Sequence, residues 1–331
     1  MSWQSRLVHL EKLHDRFPWL LPLISFACGV AGYVMVKRGA EMARLVAALA
    51  IVGWIWLLIE PIVRRQLEKR REGIGKLLVN FVSQSLQQEL LFFSLPWILG
   101  ATQRDVGQVG FAGIAATAAL LTTVDPVYER YVATRAARRL MFHAYCSWIA
   151  ALVVLPIVVR LPLEQALTLS LAAVVVSLVL TLPLSLASLR TARQKWAWLA
   201  VLVLAPLLIW QLRGHVPAAG LAVSEARVTC SIDELTPGPP VITIAANQLP
   251  NGVIAFAAIR APAGLAQEVV FEWRHGNYSE RITAEIHGGR ASGFRTFSRK
   301  EKFPDDSTGK WFVDVLTPQG QLLKRLRFWV T

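Results

Sequence analysis

The chain predicts two fold classes in one polypeptide: a membrane all-α bundle of about seven transmembrane helices, then a C-terminal all-β, immunoglobulin-like antiparallel sandwich. Three observations predict it. Of the 331 residues 54% are hydrophobic and the mean hydropathy is +0.44, above what a soluble domain of this size carries. From Trp19 to Leu212 charges sit in short clusters between apolar runs of about 17 to 27 residues, long enough to cross a hydrocarbon core of about 30 Å. From Ala222 onward polar and apolar residues alternate, and Gly and Pro interrupt them at about ten-residue spacing, the pattern of short antiparallel strands.

Taken in order, residues 1–18 read as a cytoplasmic segment carrying Arg6, Lys12 and Arg16. No small-residue cleavage site follows the next apolar run, so that run is an uncleaved first span rather than a signal peptide. The spans expected are Trp19–Val36, Met42–Val63, Leu77–Gly100, Val106–Val124, Met141–Val159, Leu163–Leu189 and Trp196–Leu212. Leu77–Gly100 is the weakest, because Asn80, Gln84, Gln87, Gln88 and Glu89 interrupt it.

Orientation follows from the loops. With the N-terminus inside, about sixteen Lys and Arg fall on the cytoplasmic side, among them Arg64, Arg65, Lys69, Arg70, Arg71, Lys76, Arg130, Arg135, Arg138 and Arg139, against about six outside. An odd number of spans then places the last domain outside, the periplasm of a bacterium, with the multi-pass block in the inner membrane. The transmembrane domain covers residues 19–213, and residues 214–221, with Pro217-Ala218-Ala219-Gly220, read as a flexible linker. Pro96, Pro156 and Pro206 fall late in the third, fifth and seventh spans, where a missing backbone donor bends a helix.

In the last domain, 222–331, the strands expected are 222–230, 241–246, 253–259, 267–273, 278–286, 292–297, 310–316 and 321–330. Alternation assigns Val269, Phe271, Trp273, Phe297, Trp311, Val313, Val315, Phe328 and Val330 to its core. Cys28, Cys146 and Cys230 allow no disulfide within that domain and no metal framework.

The formal charge of +13 lies mostly in the membrane half, where it sets orientation, and no zinc-finger spacing or RNA-binding aromatic signature accompanies it. Nucleic acid is therefore not an expected partner. No HExxH, phosphate-cradling Gly-rich loop or Gly-x-Ser-x-Gly elbow is present, so no catalytic residue, metal site or cofactor is assigned.

Three groups of polar residues remain. In the third span Asn80, Gln84 and Gln88 share one helical face and Glu89 lies on an adjoining one; such a stripe either joins helices by hydrogen bonds or lines a polar cavity or ion path. Glu60 and Asp125, each before a proline and near arginines, read as salt-bridge partners. In the last domain Arg274 and His275 precede a turn, and Arg295, Ser298, Arg299 and Lys300 follow the sixth strand; if brought together they form a cationic, aromatic-edged surface for an anionic or glycan ligand.

The run Glu272-Trp273-Arg274, then Arg295-Thr296-Phe297-Ser298-Arg299-Lys300, then Gly309-Lys310-Trp311-Phe312-Val313-Asp314-Val315, closing on Phe328-Trp329-Val330, resembles a bacterial domain of unknown function. That domain commonly closes multi-pass inner-membrane proteins of proteobacteria. In that family a His precedes the Trp and a second Trp sits inside the Arg-Thr-x-Ser run; this chain has Glu272 and Phe297 there, so no role of that His carries over. The resemblance implies the layout and no activity.

Together these readings predict a cell-envelope binding, sensing or scaffold component. Its sandwich engages an envelope protein or glycan, and its bundle sits in the lipid bilayer. A transporter or membrane-embedded enzyme using the third-span stripe is the alternative.

Overall fold

The computed structural model describes residues 20–35, 40–70 and 74–331. The expected cytoplasmic segment 1–18 and the charges Lys37, Arg38 and Arg71 lie outside the described residues, as do the side chains of Cys28, Arg64, Arg65, Lys69, Arg70 and Lys76.

The apolar runs are helical, the form in which a segment satisfies its own backbone groups without water. In order they are α1 Leu20–Met35, α2 Ala40–Arg70, α3 Ile74–Ala101, α4 Val106–Leu121, α5 Asp125–Tyr128 continuing as a π-helical turn Glu129–Ala133, and α6 Ala136–Val154 continuing as a second π-turn Leu155–Val159. Then come α7 Leu163–Leu180, α8 Leu182–Ala187 and α9 Ala192–Gln211.

By length and composition, four stretches among the described residues can cross a membrane: Glu41–Val63, Ala136–Val159, Leu163–Leu180 and Ala192–Gln211. A fifth counts if Val106–Leu121 and Asp125–Ala133, bent by 103°, are one broken span. The number is thus four to five, against about seven expected. The shortfall has local reasons: α1 has 16 described residues, and α3, though 28 residues long, carries the polar residues that weakened it in sequence. Two expected spans are also interrupted. Leu163–Leu189 breaks at Thr181, before Pro183, and Val106–Val124 ends at Thr122 and Thr123, whose hydroxyls turn back to the carbonyls of Ala119 and Leu120. Pro126 then opens α5, where a missing amide donor costs nothing.

The C-terminal part is a sheet domain. Its strands are β1 Ala222–Thr229, β2 Ile232–Asp233, β3 Thr236–Pro237, β4 Thr243–Ile244, β5 Val253–Arg260, β6 Ala266–His275, β7 Tyr278–His287, β8 Phe294–Lys300, β9 Gly309–Leu316 and β10 Leu322–Val330. One sheet runs β1-β5-β8 and the other β4-β10-β9-β6-β7, with β2 and β3 forming a small hairpin. The long pairs are antiparallel; β4 joins β10 in parallel.

The two sheets share one core, to which β5 gives Val253, Ala255, Ala257 and Ile259 and the larger sheet gives Val269, Phe271, Trp273, Trp311, Val313, Val315, Phe328 and Val330. Phe297 departs from expectation. It is 37% exposed, because Thr296, Ser298 and Lys300 hold the inward positions of β8 and a strand's side chains alternate faces.

The chain divides into two compact units, and the division is not helix against strand. One unit holds Met1–Pro96, Gly113–Val154 and Leu171–Pro206; the other holds Trp97–Ala112, Leu155–Ser170 and Leu207–Thr331. Three of the five divisions fall at Pro96, just before Pro156, and at Pro206; the other two follow Ala112 and Ser170.

Within the second unit, helix ends are bonded into the sandwich. Gln108 Nε2 donates to the Leu322 carbonyl at 3.0 Å, and Gln321 Nε2 donates to the Val216 carbonyl at 3.0 Å. The Leu163 amide donates to Gln267 Oε1 at 3.2 Å, and Gly220 lies so close to Pro156 that a Cβ there would sit 2.9 Å from its ring. The expected flexible linker is therefore packed. Val216, Pro217, Ala218, Ala219 and Leu221 are buried, because these apolar residues have core to fill rather than solvent to cross.

Candidate functional site

The outward face of the larger sheet follows from the same alternation that fills the core. In β9, Trp311, Val313 and Val315 point inward, so Lys310, Phe312 and Asp314 point outward; in β10, Arg325, Arg327 and Trp329 do the same. Register places Lys310 opposite Trp329, Phe312 opposite Arg327 and Asp314 opposite Arg325, with Arg274 and Glu272 of β6 on the other flank of Phe312 and Asp314.

Asp314 is 2% exposed and holds this face together. It receives Arg325 through two bonds, Nε to Oδ1 at 2.7 Å and Nη2 to Oδ2 at 2.9 Å, and it also bonds Arg274 Nη2. The Asp314 carboxylate raises the Arg325 pKa, with burial opposing. Glu272 in turn accepts Arg281 Nε at 2.8 Å and lies 3.8 Å from Arg274. Those three arginines thus share two carboxylates.

Lys310 and Arg327 do not: among the described residues neither has a carboxylate partner. Lys310 Nζ lies 5.0 Å from the Phe312 ring centroid and 5.5 Å from that of Trp329, and the Arg327 guanidinium lies 5.8 Å from Phe312. Trp329 is 46% exposed.

The inward side of the same domain is closed. Lys300, 3% exposed, donates to Tyr278 Oη at 2.8 Å and pairs with Glu280, while its ammonium lies 4.7 Å from the Tyr278 ring and 5.3 Å from that of Phe303. Lys300 holds the Glu280 carboxyl below its ordinary value; burial opposes this and the Tyr278 hydroxyl assists. His275 stacks on Trp311 at 4.8 Å and bonds the Lys310 carbonyl at 3.0 Å.

The helical unit has a second polar constellation. Gln84 Nε2 donates to the Thr122 carbonyl and to Asp125 Oδ1, both at 2.7 Å, so one side chain spans the break between α4 and α5. Tyr128 donates to Gln87 Oε1 at 2.8 Å, and Trp56 Nε1 donates to Ser83 at 2.8 Å. At the end of the π-turn Arg139 Nη1 bonds the Ala133 carbonyl at 2.6 Å, and its Nη2 pairs with Glu60 at 2.7 Å in a buried ion pair. That pair borders a cleft of about 260 Å³, lined also by Leu57, Pro61, Leu184 and Ser188. Gln87 Nε2, Ser94 Oγ, His143 Nε2 and Ser147 Oγ are buried with no hydrogen-bond partner among the described residues.

A profile described as a family of unknown function (DUF5924) matches residues 1–255, well over half the chain. The chain belongs to this family. A second profile, a protein of unknown function (DUF2914), matches residues 266–330. No curated protein and no solved structure matches the chain. The family match ends within β5, and the second begins at the first residue of β6. The sandwich is thus shared between the two, and β8, inside the second match, has β5 as its sheet neighbour. Residues 266–330 are therefore not a complete sandwich.

Of the expected ligand residues, Arg274 lies on the outward face of the larger sheet, whereas Arg295 and Arg299 point outward from β8 in the other sheet. Ser298 and Lys300 point inward, Ser298 accepting Trp273 Nε1 at 3.0 Å, and His275 is tied to β9. The six do not converge. In the stripe Asn80, Gln84 and Gln88 are buried and Glu89 is half-buried. Glu60 is in the expected salt bridge, with Arg139, whereas Asp125 accepts from the neutral Gln84 amide and has no ion pair among the described residues. Gln87 went unassigned in sequence although it falls seven residues after Asn80, on the same helical face. Lys310, Arg327 and Trp329 went unassigned because only the inward half of each alternation was followed. Among the described residues no group of three or more His, Cys, Asp or Glu is placed to hold a metal ion.

Proposed function

We propose that this protein is a multi-pass inner-membrane component of the cell envelope whose immunoglobulin-like sandwich, held outside the cytoplasmic membrane, binds an envelope ligand or partner. The observation that carries the reading is the bonding of three chain segments into the sandwich: 101–108, the loop and first turn of α4, through Gln108, 159–163 through Leu163, and 212–221 through Val216. In a seven-span arrangement with the N-terminus inside, these are the outer loops and the exit of the last span, and a domain outside the membrane meets such segments. The strand order, with β1-β5-β8 facing β10-β9-β6-β7, supports the immunoglobulin-like reading. In this reading the sandwich is no tethered bead. Binding on it biases the helical segments that begin at Pro96, Pro156 and Pro206.

The test is a topology reporter fused after Thr331, expected to read extracytoplasmic, combined with deletion of residues 222–331 and the substitution Glu89→Gln. Loss of the cellular phenotype on deletion, with Glu89→Gln silent, supports binding by the sandwich; the opposite pattern sinks it.

A transporter or membrane-embedded enzyme is the second reading, favoured by one observation: a chain break bent by 103° whose Tyr128 bonds Gln87, a side chain with a buried Nε2 that has no partner among the described residues. It expects Gln87→Leu to abolish function while the deletion does not.

A further inference from the structure

We propose that the far end of the outward sheet face, built from Lys310, Phe312, Arg327 and Trp329, binds an extended acidic glycan. The proposal rests on the extracytoplasmic placement above. Three features carry it. Cations and aromatic rings form a checkerboard: Lys310 and Phe312 alternate along β9, Trp329 and Arg327 alternate along β10, and register sets each cation opposite a ring. Residues two apart on a strand are about 6.8 Å apart, so the pattern presents charge and ring at the spacing of neighbouring units of a polymer, not of one small anion. Lys310 and Arg327 have no carboxylate partner among the described residues, whereas Arg274, Arg281 and Arg325 are each already engaged by Asp314 or Glu272.

Third, Trp329 offers an exposed indole face, on which the apolar face of a sugar ring packs while its acid groups reach the flanking cations.

Position decides between sources of negative charge. The end of β10 bonded to the helix ends is Leu322, and Trp329 lies seven residues further, about 24 Å along an extended strand. The proposed occupant is an extended polymer rather than a bilayer headgroup layer, and the vesicle arm of the test below separates the two. Of the acidic residues of the same face, Glu272 and Asp314 are taken up by arginines, and Glu268 and Glu285 stand opposite each other at the far end of β6 and β7, leaving the Lys310 end cationic.

The experiment uses the full-length protein in nanodiscs of zwitterionic lipid. Heparin is the probe, with uncharged dextran, a thymidine 12-mer and phosphatidylglycerol vesicles as alternatives. The expectation is saturable heparin binding and none to dextran. Lys310→Ala/Arg327→Ala should weaken it at least tenfold and flatten its salt dependence, and Trp329→Ala at least fivefold with the salt dependence kept. Arg260→Ala/Lys302→Ala, removing equal charge elsewhere on the sandwich, should stay within twofold.

A silent Trp329→Ala, a thymidine 12-mer bound as tightly as heparin, binding to the vesicles alone, or no binding to any probe each overturns the proposal. Any of these with an extracytoplasmic reporter and a phenotype on deletion of the sandwich leaves the broader reading standing; a cytoplasmic reporter fells both.

Discussion

In the sandwich, buried Asp314 receives two guanidinium groups, and buried Lys300 gives to Glu280 and Tyr278. In the helical unit Gln87, Ser94, His143, Tyr145, Ser147 and Trp198 bury polar atoms that the described residues leave unbonded, against Gln267 and Arg274 in the sandwich. An orphaned buried donor or acceptor costs about 1–3 kcal/mol. The sandwich therefore spends its polar groups on one arrangement of strands. The helical interior keeps polar atoms that no described residue satisfies. This teaches where each functional reading belongs: recognition on the rigid face, passage or conformational change in the helices.

The sharpest way to break the comparison is at the buried ion pair of the helical unit, Glu60 with Arg139. Glu60→Leu removes the carboxylate paired with the buried Arg139 guanidinium and should destabilise the folded protein by about 3 kcal/mol. Glu60→Leu/Arg139→Leu should recover most of that loss in a thermal melt in detergent. A double variant as unstable as the single one would show that the pair matters for something other than charge compensation.

A matched pair of smaller changes sharpens the contrast. Ser298→Ala removes the acceptor of the buried Trp273 Nε1 and should cost about 1.5 kcal/mol, whereas Ser94→Ala removes an unpartnered hydroxyl and should cost less than about 0.5 kcal/mol or stabilise. Hydrogen exchange read separately over the strands and over α3 distinguishes them. Equal losses would mean that Ser94 is satisfied after all.

The smallest effect is acid sensitivity of the sandwich. The Glu280 carboxyl is depressed by Lys300, so its contribution is fully present above the unfolded value, near 4.5, and is lost as pH falls through the lower folded value. The carboxylate is 42% exposed, so screening keeps this contribution below about 1 kcal/mol. Melts of the wild type should lose stability below about pH 4.5 more steeply than melts of Glu280→Gln. Parallel acid limbs would remove Glu280 as the cause.

Asp105 belongs to the same family of effects. Burial raises its pKa, but the Gln108 amide, His215 and the Gly107 amide together hold it below the usual value, as suits a residue capping α4 next to the sandwich-bonded Gln108.

Much of this was legible in sequence. The apolar runs announced the helical part, and the alternation in Lys310–Val315 and Leu322–Val330 announced both strands and the inward set of Trp311, Val313 and Phe328. The weakness of the third span was visible in its glutamines. Phe297 was misassigned because one strand's parity was taken from its aromatic residues, and in β8 Thr296, Ser298 and Lys300 are the inward ones.

By itself, then, the sequence determined periodicity: which segments are helical or extended, which face of each strand is apolar, and that membership of the family carries no borrowed activity. These are properties of neighbours a few residues apart, written in side-chain chemistry. Only the tertiary structure decided what meets across long separations: Glu60 with Arg139, Gln84 with the break after Thr122, Gln108 with Leu322, and Val216 packed rather than tethering. Those partners depend on how helices and sheets stack, and a local pattern carries no term for a neighbour 79 or 214 residues away.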